Sequence, residues 1–229
     1  MTVEGWRIPV ALAEVSAVYE PAITDVQAAV FVCAHGAGGH MADRGMLATA
    51  RAMREAGLGV VRFNFLYKER KSGRPDAMPL LMETTSAVVD FVRTTLAPSR
   101  CIIGGRSMGG RAASMLAASG FDADGLLLLA YPLHPAGQPG KLRDAHLPEI
   151  RLPTLCINGT RDALCTPALM ERALATVTCP FTMHWVEGAD HSFHVLKSSG
   201  TTDTQVMRDI ADVTKRWLAR GIGGAEPGS

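Results

Sequence analysis

The amino-acid sequence predicts an α/β protein with a mostly parallel central sheet and helices on both faces. Short apolar runs recur along the chain, and segments with helical spacing of apolar residues separate them. Because nearly every residue in these runs is apolar, the strands are expected to be buried on both sides. The length of 229 residues, 47% of them hydrophobic, is enough for one large core. We therefore expect a single domain over residues 1–220 and a disordered tail over 221–229.

The strands are predicted from runs of Val, Ile, Leu and Phe that end near Gly, Pro or Asn. Two short segments at the start of the chain, 8–10 and 15–19, are expected to form antiparallel edge strands. Six later runs are expected to form the interior of the sheet, at residues 29–34, 59–64, 100–104, 125–130, 154–158 and 181–186.

Helices are predicted between these strands from apolar spacing and from residues typical of helix ends. Residues 43–56 precede Gly57, which suits a left-handed cap, and residues 80–96 carry apolar side chains on one side. Thr166 and Pro167 are typical of the N-cap and first position of a helix. A last helix is predicted where four apolar residues recur at steps of four, three and four, namely Val206, Ile210, Val213 and Trp217.

Composition and charge exclude several classes of protein. The net charge of +1 argues against a nucleic-acid partner, because neutralising phosphates requires an excess of basic residues. The longest apolar stretches, 28–34 and 126–130, are far shorter than the roughly 20 residues of a membrane helix, and no secretory signal is evident. Five cysteines without C-x-x-C spacing favour neither disulfides nor a zinc site. We expect a cytoplasmic protein without membrane association, and its oligomeric state stays open.

Residues 105–109 carry the strongest motif, G-x-S-x-G, between a predicted strand and a small-residue helix at 110–119. In this context the motif is typical of a sharp turn that exposes Ser107 as a nucleophile. The helix that follows favours negative charge developing at its N-terminus. The alternative is a glycine-rich turn with an exposed serine.

A serine nucleophile needs a base to take its proton and an acid to orient that base. Asp162 and His191 each follow a predicted strand, in the chain order Ser, Asp, His expected for this motif. Asp162 could instead cap the next helix. Asp190 and His194 are the alternative acid and base. No metal is expected, because no third and fourth ligand accompany the two histidines.

An oxyanion hole is expected from two backbone N–H groups. One belongs to Met108, directly after the serine, and the other to Ala37 in the glycine-rich loop 35–39. A phosphate-binding loop is the competing interpretation, but neither glycine-rich phosphate motif occurs here. No cofactor is expected.

With these motifs, the chain resembles a small α/β-hydrolase of the dienelactone-hydrolase-like kind over residues from about 25 to 220. The stretches Arg-Phe-Asn-Phe at 62–65 and Tyr-Pro-Leu-His-Pro at 131–135 are similar to bacterial hydrolases related to animal proteins of the testis-expressed type. The resemblance implies an eight-stranded sheet and the triad Ser107, Asp162 and His191, but no substrate. Dienelactone hydrolases carry cysteine as nucleophile, where this chain has serine.

The connection at 131–153 is expected to leave the site open. Its 23 residues include five prolines and two glycines, too few and too broken for a helical lid. We expect a shallow site that favours small or polar esters and is lined by Gly36, Arg106, Tyr131, His134 and the segment around Leu142. The alternative for His134 is that it closes its own loop.

Basic residues are predicted to form a rim on the same side of the sheet. The loop after strand 59–64 carries Lys68, Arg70, Lys71 and Arg74, and Arg106 and Arg111 flank the serine. Such a rim would attract a carboxylate-bearing substrate, whereas the alternative is a solvated surface loop.

The sequence therefore predicts a serine hydrolase that cleaves small-molecule carboxylic esters through an acyl-enzyme. The same residues suit a thioesterase or a peptidase. Some eukaryotic relatives serve in chromatin complexes, so a non-catalytic, partner-binding protein on a hydrolase scaffold is the alternative from another class.

Overall fold

The computed structural model describes residues 3–24, 27 and 29–221, and its strands form one sheet in the order β1-β2-β4-β3-β5-β6-β7-β8. The pairs β1–β2 and β2–β4 are antiparallel and the other pairs are parallel. This confirms the predicted, mostly parallel sheet. The strand bounds are β1 Glu4–Val10, β2 Ala13–Glu20, β3 Ala29–Ala34, β4 Leu58–Phe63, β5 Cys101–Arg106, β6 Gly125–Leu129, β7 Thr154–Gly159 and β8 Phe181–Val186.

Helices cover both faces of the sheet. The α-helices of the described residues are α1 Arg44–Glu55, α2 Leu66–Glu69, α3 Met78–Leu96, α4 Met108–Ala118, α5 Pro167–Leu174 and α6 Asp203–Gly221. Helices α1 and α6 pack together on one face, and α3, α4 and α5 contribute to the hydrophobic core on the other. None of the helices described here is long and apolar enough to cross a membrane.

The two cores follow from the alternation of side chains along each strand. In β3, Val30 and Val32 belong to the core under α3 and α4, whereas Phe31 and Cys33 belong to the core under α1 and α6. Every residue of β3 is buried. The apolar runs of β3 to β7 are therefore strands covered on both sides, as predicted. The prediction is wrong for β8, which lies at the edge of the sheet and is only partly buried.

The predicted interior strands agree with the structure to within two residues at either end. The two strands at the start of the chain are longer than predicted, since Glu4–Val10 pairs with residues 13–19 as a hairpin with a mixed apolar and polar pattern. The single turn of α2 was not predicted, because four residues are too few to show an apolar period. Gly57 follows α1 with φ of +98°, as expected of a left-handed cap. Of the predicted tail 221–229, Gly221 ends α6 and the rest lies outside the described residues.

The connection from β6 to β7 contains no α-helix, which confirms the absence of a helical lid. Its only regular element is a 3-10 turn at Leu147–Glu149. The loops after β3, β5, β7 and β8 leave the same edge of the sheet, because these strands are parallel. The predicted site residues therefore converge at that edge.

Candidate active site

Ser107 lies in a strained turn between β5 and α4. Its φ of 48° and ψ of −115° are rare for a residue with a side chain. The turn requires glycine around it: a Cβ on Gly104 would lie 1.9 Å from the carbonyl oxygen of Leu127. The Ser107 N–H donates to the Leu129 carbonyl at 2.9 Å, which ties the turn to β6. The strain is therefore held by the sheet, and it leaves the serine side chain exposed to the cleft.

A continuous chain of hydrogen bonds joins Ser107, His191 and Asp162. The distance from Ser107 Oγ to His191 Nε2 is 2.9 Å, and that from His191 Nδ1 to Asp162 Oδ2 is 2.8 Å. Because a carboxylate accepts, Nδ1 carries the ring proton and Nε2 is free to accept from the serine hydroxyl. The Asp162 side chain is fully buried, whereas that of His191 is 31% exposed. The structure thus brings together three residues that lie far apart in the sequence.

The Asp162 carboxylate is held by two groups besides the histidine. Its Oδ1 accepts from the Leu164 N–H at 2.8 Å, and its Oδ2 accepts from Asn158 Nδ2 at 3.3 Å. Asn158 is itself fixed by two hydrogen bonds to the backbone of Tyr131, at 2.9 and 3.0 Å. The sequence analysis did not identify Asn158 as a functional residue. The available signal was a polar amide side chain near the end of an otherwise apolar strand.

The loops that carry Asp162 and His191 are joined directly. The Arg161 N–H donates to the Ala189 carbonyl at 2.9 Å, and the Gly188 N–H donates to Thr160 Oγ1 at 2.8 Å. A Cβ on Gly159 would lie 2.1 Å from the Ala189 carbonyl oxygen. These contacts fix the distance between Asp162 and His191.

The alternative acid and base serve the loop instead. Asp190 Oδ1 accepts from the N–H groups of Ser192 and His194, at 2.8 and 3.0 Å. His194 Nδ1 lies 2.8 Å from Asp203 Oδ2, and this pairing raises the pKa of His194 and lowers that of Asp203. Asp190 and His194 therefore shape the segment around His191 without joining the chain to Ser107.

The loop after β3 passes directly beside the nucleophile. A Cβ on Gly36 would lie 3.4 Å from Ser107 Cβ, and Gly36 and Ala37 both line the cleft at the serine. Within the described part of the chain, the N–H groups of Ala37 and Met108 donate no hydrogen bond. They remain available to a ligand bound at Ser107.

His35 fixes the backbone of this loop through two hydrogen bonds. Its Nε2 accepts from the Phe65 N–H at 3.2 Å, so its Nδ1 carries the proton and donates to the Gly36 carbonyl at 2.8 Å. Burial lowers the pKa of His35 to about 4. The ring is therefore neutral at pH 7 and fixes the backbone that leads to Ala37. The sequence marked His35 only as part of the glycine-rich loop.

Ser107 and His191 open into a cleft of about 960 Å³ between α1 and α6. Arg106 lies at the wall of this cleft. It donates to the Gly45 carbonyl at 3.3 Å and to Thr49 Oγ1 at 3.2 Å, both on α1. Its guanidinium carbon lies 5.3 Å from the centre of the Phe193 ring. Arg106 therefore connects the nucleophile turn with α1 and with the loop of His191.

Tyr131 and His134 do not line the cleft, contrary to the expectation from sequence. The Tyr131 hydroxyl is turned inward and donates to the Arg143 carbonyl at 2.7 Å. His134 is buried, and its Nε2 lies 3.0 Å from Thr166 Oγ1. The backbone N–H of His134 also donates to the Leu164 carbonyl, so the chain after β6 folds under the loop of Asp162. His134 closes its own loop, which was the alternative interpretation.

The basic loop after β4 is also not part of the cleft. Arg70 forms an ion pair with Asp76, and none of the four basic residues predicted there lines the cleft. The cleft instead carries arginines from α1, from the nucleophile turn and from α6, namely Arg44, Arg51, Arg106 and Arg208.

Comparison with known proteins agrees with this architecture. Residues 27–219 match the family described as the alpha/beta hydrolase domain. Among solved structures, an alpha-beta serine hydrolase homologue from Coxiella burnetii has a TM-score of 0.76 at 20% identity, covering 94% of this chain and 97% of its own. A serine hydrolase without lid from Xanthomonas campestris has a TM-score of 0.75 at 21% identity, covering 98% of this chain and 97% of its own.

A dienelactone hydrolase from Anabaena variabilis has the same fold, with a TM-score of 0.74 at 19% identity, covering 97% of this chain and 99% of its own. At such identities the likeness concerns the fold, whereas the family match extends over most of the sequence. The chain therefore belongs to the α/β hydrolase family of enzymes.

Proposed function

We propose that this protein hydrolyses carboxylic esters of small or polar compounds through an acyl-enzyme. Ser107 is the nucleophile, His191 the general base and Asp162 the acid that orients it. The observation that carries the proposal is the continuous hydrogen-bonded chain, with distances of 2.9 and 2.8 Å between the three side chains. Such a chain is what a weakly nucleophilic hydroxyl needs to react at neutral pH.

In the first half-reaction, Ser107 Oγ attacks the ester carbonyl carbon while His191 Nε2 takes the hydroxyl proton. The carbonyl oxygen becomes negatively charged and accepts hydrogen bonds from the N–H groups of Ala37 and Met108. The bond from the carbonyl carbon to the alcohol oxygen then breaks. His191 gives its proton to the departing alkoxide, and the acyl group stays on Ser107.

In the second half-reaction, His191 takes a proton from water, and the resulting nucleophile attacks the acyl carbon. The bond from this carbon to Ser107 Oγ breaks, and the serine recovers its proton from His191. The products are a carboxylic acid and an alcohol, and the enzyme returns to its starting state. Asp162 stays ionised and holds the ring tautomer throughout.

The open cleft supports the preference for small or polar substrates. Because the β6–β7 connection forms no helical lid, we expect a long acyl chain to extend beyond the cleft into water and to contribute little binding energy. Half-buried polar groups at the cleft, including Arg106, favour substrates that form hydrogen bonds.

Labelling with a fluorophosphonate, which reacts with activated serines, tests the proposal. The native protein is expected to label, Ser107→Ala is expected not to label, and Ser99→Ala is the control because Ser99 is exposed and outside the cleft. A native protein that does not label, or a Ser107→Ala variant that labels equally, would contradict the proposal. Rates on a matched ester, thioester and anilide of acetic acid then separate esterase from thioesterase and peptidase.

A further inference from the structure

The arginines of the cleft differ in whether they have a carboxylate partner. Arg51 is paired with Glu55 at 3.0 Å on α1. By contrast, Arg44, Arg106 and Arg208 take part in none of the ion pairs formed among the described residues, 3–24, 27 and 29–221. Three arginines thus line one cleft without a carboxylate at ion-pair distance, and only longer-range attraction links Arg106 with Asp43 and Arg44 with Asp203.

The acidic side chains of the cleft are already engaged elsewhere. Asp43 caps α1, with one oxygen accepting from the Met46 N–H at 2.8 Å and the other from the His40 N–H at 3.1 Å. Asp203 is paired with His194 at 2.8 Å, and Glu55 is paired with Arg51. The cleft is therefore lined by four arginines and three carboxylates, which leaves an excess of one positive charge.

The unpaired arginines line the same cleft as Ser107. Arg106 directly precedes Ser107 and donates hydrogen bonds to α1, while Arg44 is the first residue of α1 and Arg208 lies in the second turn of α6. Each of the three lines the cleft that contains Ser107 and His191. They come from three separate elements, so their common position is a property of the folded cleft.

Burial makes the charge on Arg106 costly. Desolvation lowers the pKa of Arg106, and its two hydrogen bonds go to neutral oxygens on Gly45 and Thr49. A partly desolvated cation without a carboxylate partner gains more from a bound anion than an exposed cation does. Arg44 and Arg208 are exposed and add longer-range attraction.

We infer that this cleft recognises substrates with a negatively charged oxyanion group, such as a carboxylate, placed near the ester that reacts at Ser107. This inference rests on the proposed function, which it narrows to anionic esters. Arg106 receives the anion beside the nucleophile, and Arg44 and Arg208 attract it from the two sides of the cleft. The charged group belongs either to the acyl part or to the alcohol part of the ester.

Two pairs of esters test the inference and distinguish the two positions of the charge. The first pair is p-nitrophenyl glutarate, with a free carboxylate on the acyl chain, and its methyl ester. The second pair is the butyrate ester of 3-hydroxybenzoate and that of methyl 3-hydroxybenzoate. We expect kcat/KM to be about tenfold higher for the charged member of at least one pair, and this ratio to fall with added salt.

Arginine variants test whether the preference for charged esters arises in the cleft. Arg44→Ala and Arg208→Ala are each expected to lower the charged-to-neutral ratio of kcat/KM about threefold. Arg172→Ala is the matched control, because it removes one exposed positive charge from α5, outside the cleft. Ratios near one in both pairs, or ratios unchanged in both cleft variants, overturn the inference.

Binding is measured separately from turnover, so that failure of the proposed function is distinguishable. Calorimetric titration of Ser107→Ala with monobutyl glutarate and with its neutral methyl ester is expected to show tighter binding of the anion. Tighter anion binding without ester turnover by the native protein would contradict the esterase proposal and support the anion site. Turnover of neutral esters with no anion preference in either assay would support the esterase proposal and contradict the anion site.

Discussion

The Asp162 carboxylate accepts hydrogen bonds from three groups and is shielded from water. The three donors are the backbone of Leu164, the Asn158 amide and the His191 ring. With both oxygens engaged, the carboxylate cannot rotate, and it selects the ring tautomer in which His191 Nε2 faces Ser107. Asp190 is adjacent to His191 in the sequence, but its carboxylate accepts hydrogen bonds from the backbone of its own loop and does not contact the His191 ring.

Replacing Asp162 with Asn tests this role at the scale of a single residue. An amide nitrogen facing Nδ1 would favour the tautomer with the proton on Nε2, which cannot accept from Ser107. We expect kcat to fall by roughly 10³- to 10⁴-fold with a melting temperature close to that of the native protein.

Asp122→Asn is the control for this variant, because the Asp122 side chain is 94% exposed. Steady-state kinetics and thermal unfolding are measured on both variants. Full activity in Asp162→Asn would contradict the assignment of Asp162 as the residue that orients His191.

The loop after β7 and the loop after β8 act as one unit at the scale of elements. They share backbone and side-chain hydrogen bonds around Thr160 and Arg161, and they approach so closely at Gly159 that a side chain cannot fit. Each loop is anchored by a parallel strand, and the two strands are neighbours in the sheet. The separation of acid and base is therefore set by the strand spacing and by one glycine.

Gly159→Ala is expected to separate these loops. The new Cβ would lie 2.1 Å from the Ala189 carbonyl oxygen, so the backbone must shift. We expect the free energy of unfolding to fall by about 1–3 kcal/mol, the usual cost of overpacking, and kcat to fall as His191 moves relative to Asp162. Urea denaturation and ester kinetics measure the two effects.

Gly140→Ala is the matched control, since nothing lies within 4 Å of a Cβ at that position. It should leave stability and kcat near native values. If Gly159→Ala behaved in the same way, the contact would not determine the geometry of the site.

At the scale of the whole molecule, the cleft lies between helices that cover one face of the sheet, and nothing helical covers it from the β6–β7 side. For the series of p-nitrophenyl esters from acetate to decanoate, we therefore expect kcat/KM to be highest for short acyl chains. Steady-state rates below the solubility limit of each ester measure this. A clear preference for decanoate would contradict the open site.

The buried histidines make the stability of the molecule depend on pH. Burial lowers the pKa of His35 and of His146 to about 4, whereas histidine in an unfolded chain titrates near 6.5. Between about pH 6.5 and pH 4, the unfolded chain binds protons that the folded chain does not bind. The free energy of unfolding therefore falls as the pH falls through this window.

His146→Gln is expected to reduce this dependence, because glutamine does not titrate and its amide can still donate to Ser114 Oγ, which lies 2.8 Å from His146 Nε2. Urea denaturation at several pH values between 7 and 4 measures the slope for the native protein and the variant. Equal slopes would show that His146 is not among the groups that titrate on unfolding.

The sheet and the approximate position of the site could be predicted from the sequence because both depend on local patterns. Apolar runs identified the interior strands, and G-x-S-x-G identified the turn at Ser107. Asn158 and His35 were missed as functional candidates, since their positions depend on contacts with Tyr131 and Phe65, which lie 27 and 30 residues away in the chain. Tyr131 and His134 were assigned to the cleft by their position after β6, but their direction depends on how the loop packs.

What the sequence determined by itself is the order and spacing of strands, helices and the motif, because these are set by side-chain periodicity and by glycine positions. The residues that form the wall of the cleft, by contrast, are known only from the tertiary structure. Arg44 and Arg208 lie on helices separated by most of the chain, and α1 and α6 meet because their apolar faces share one core. Contacts between distant segments depend on the packing of whole elements, which no local pattern in the sequence specifies.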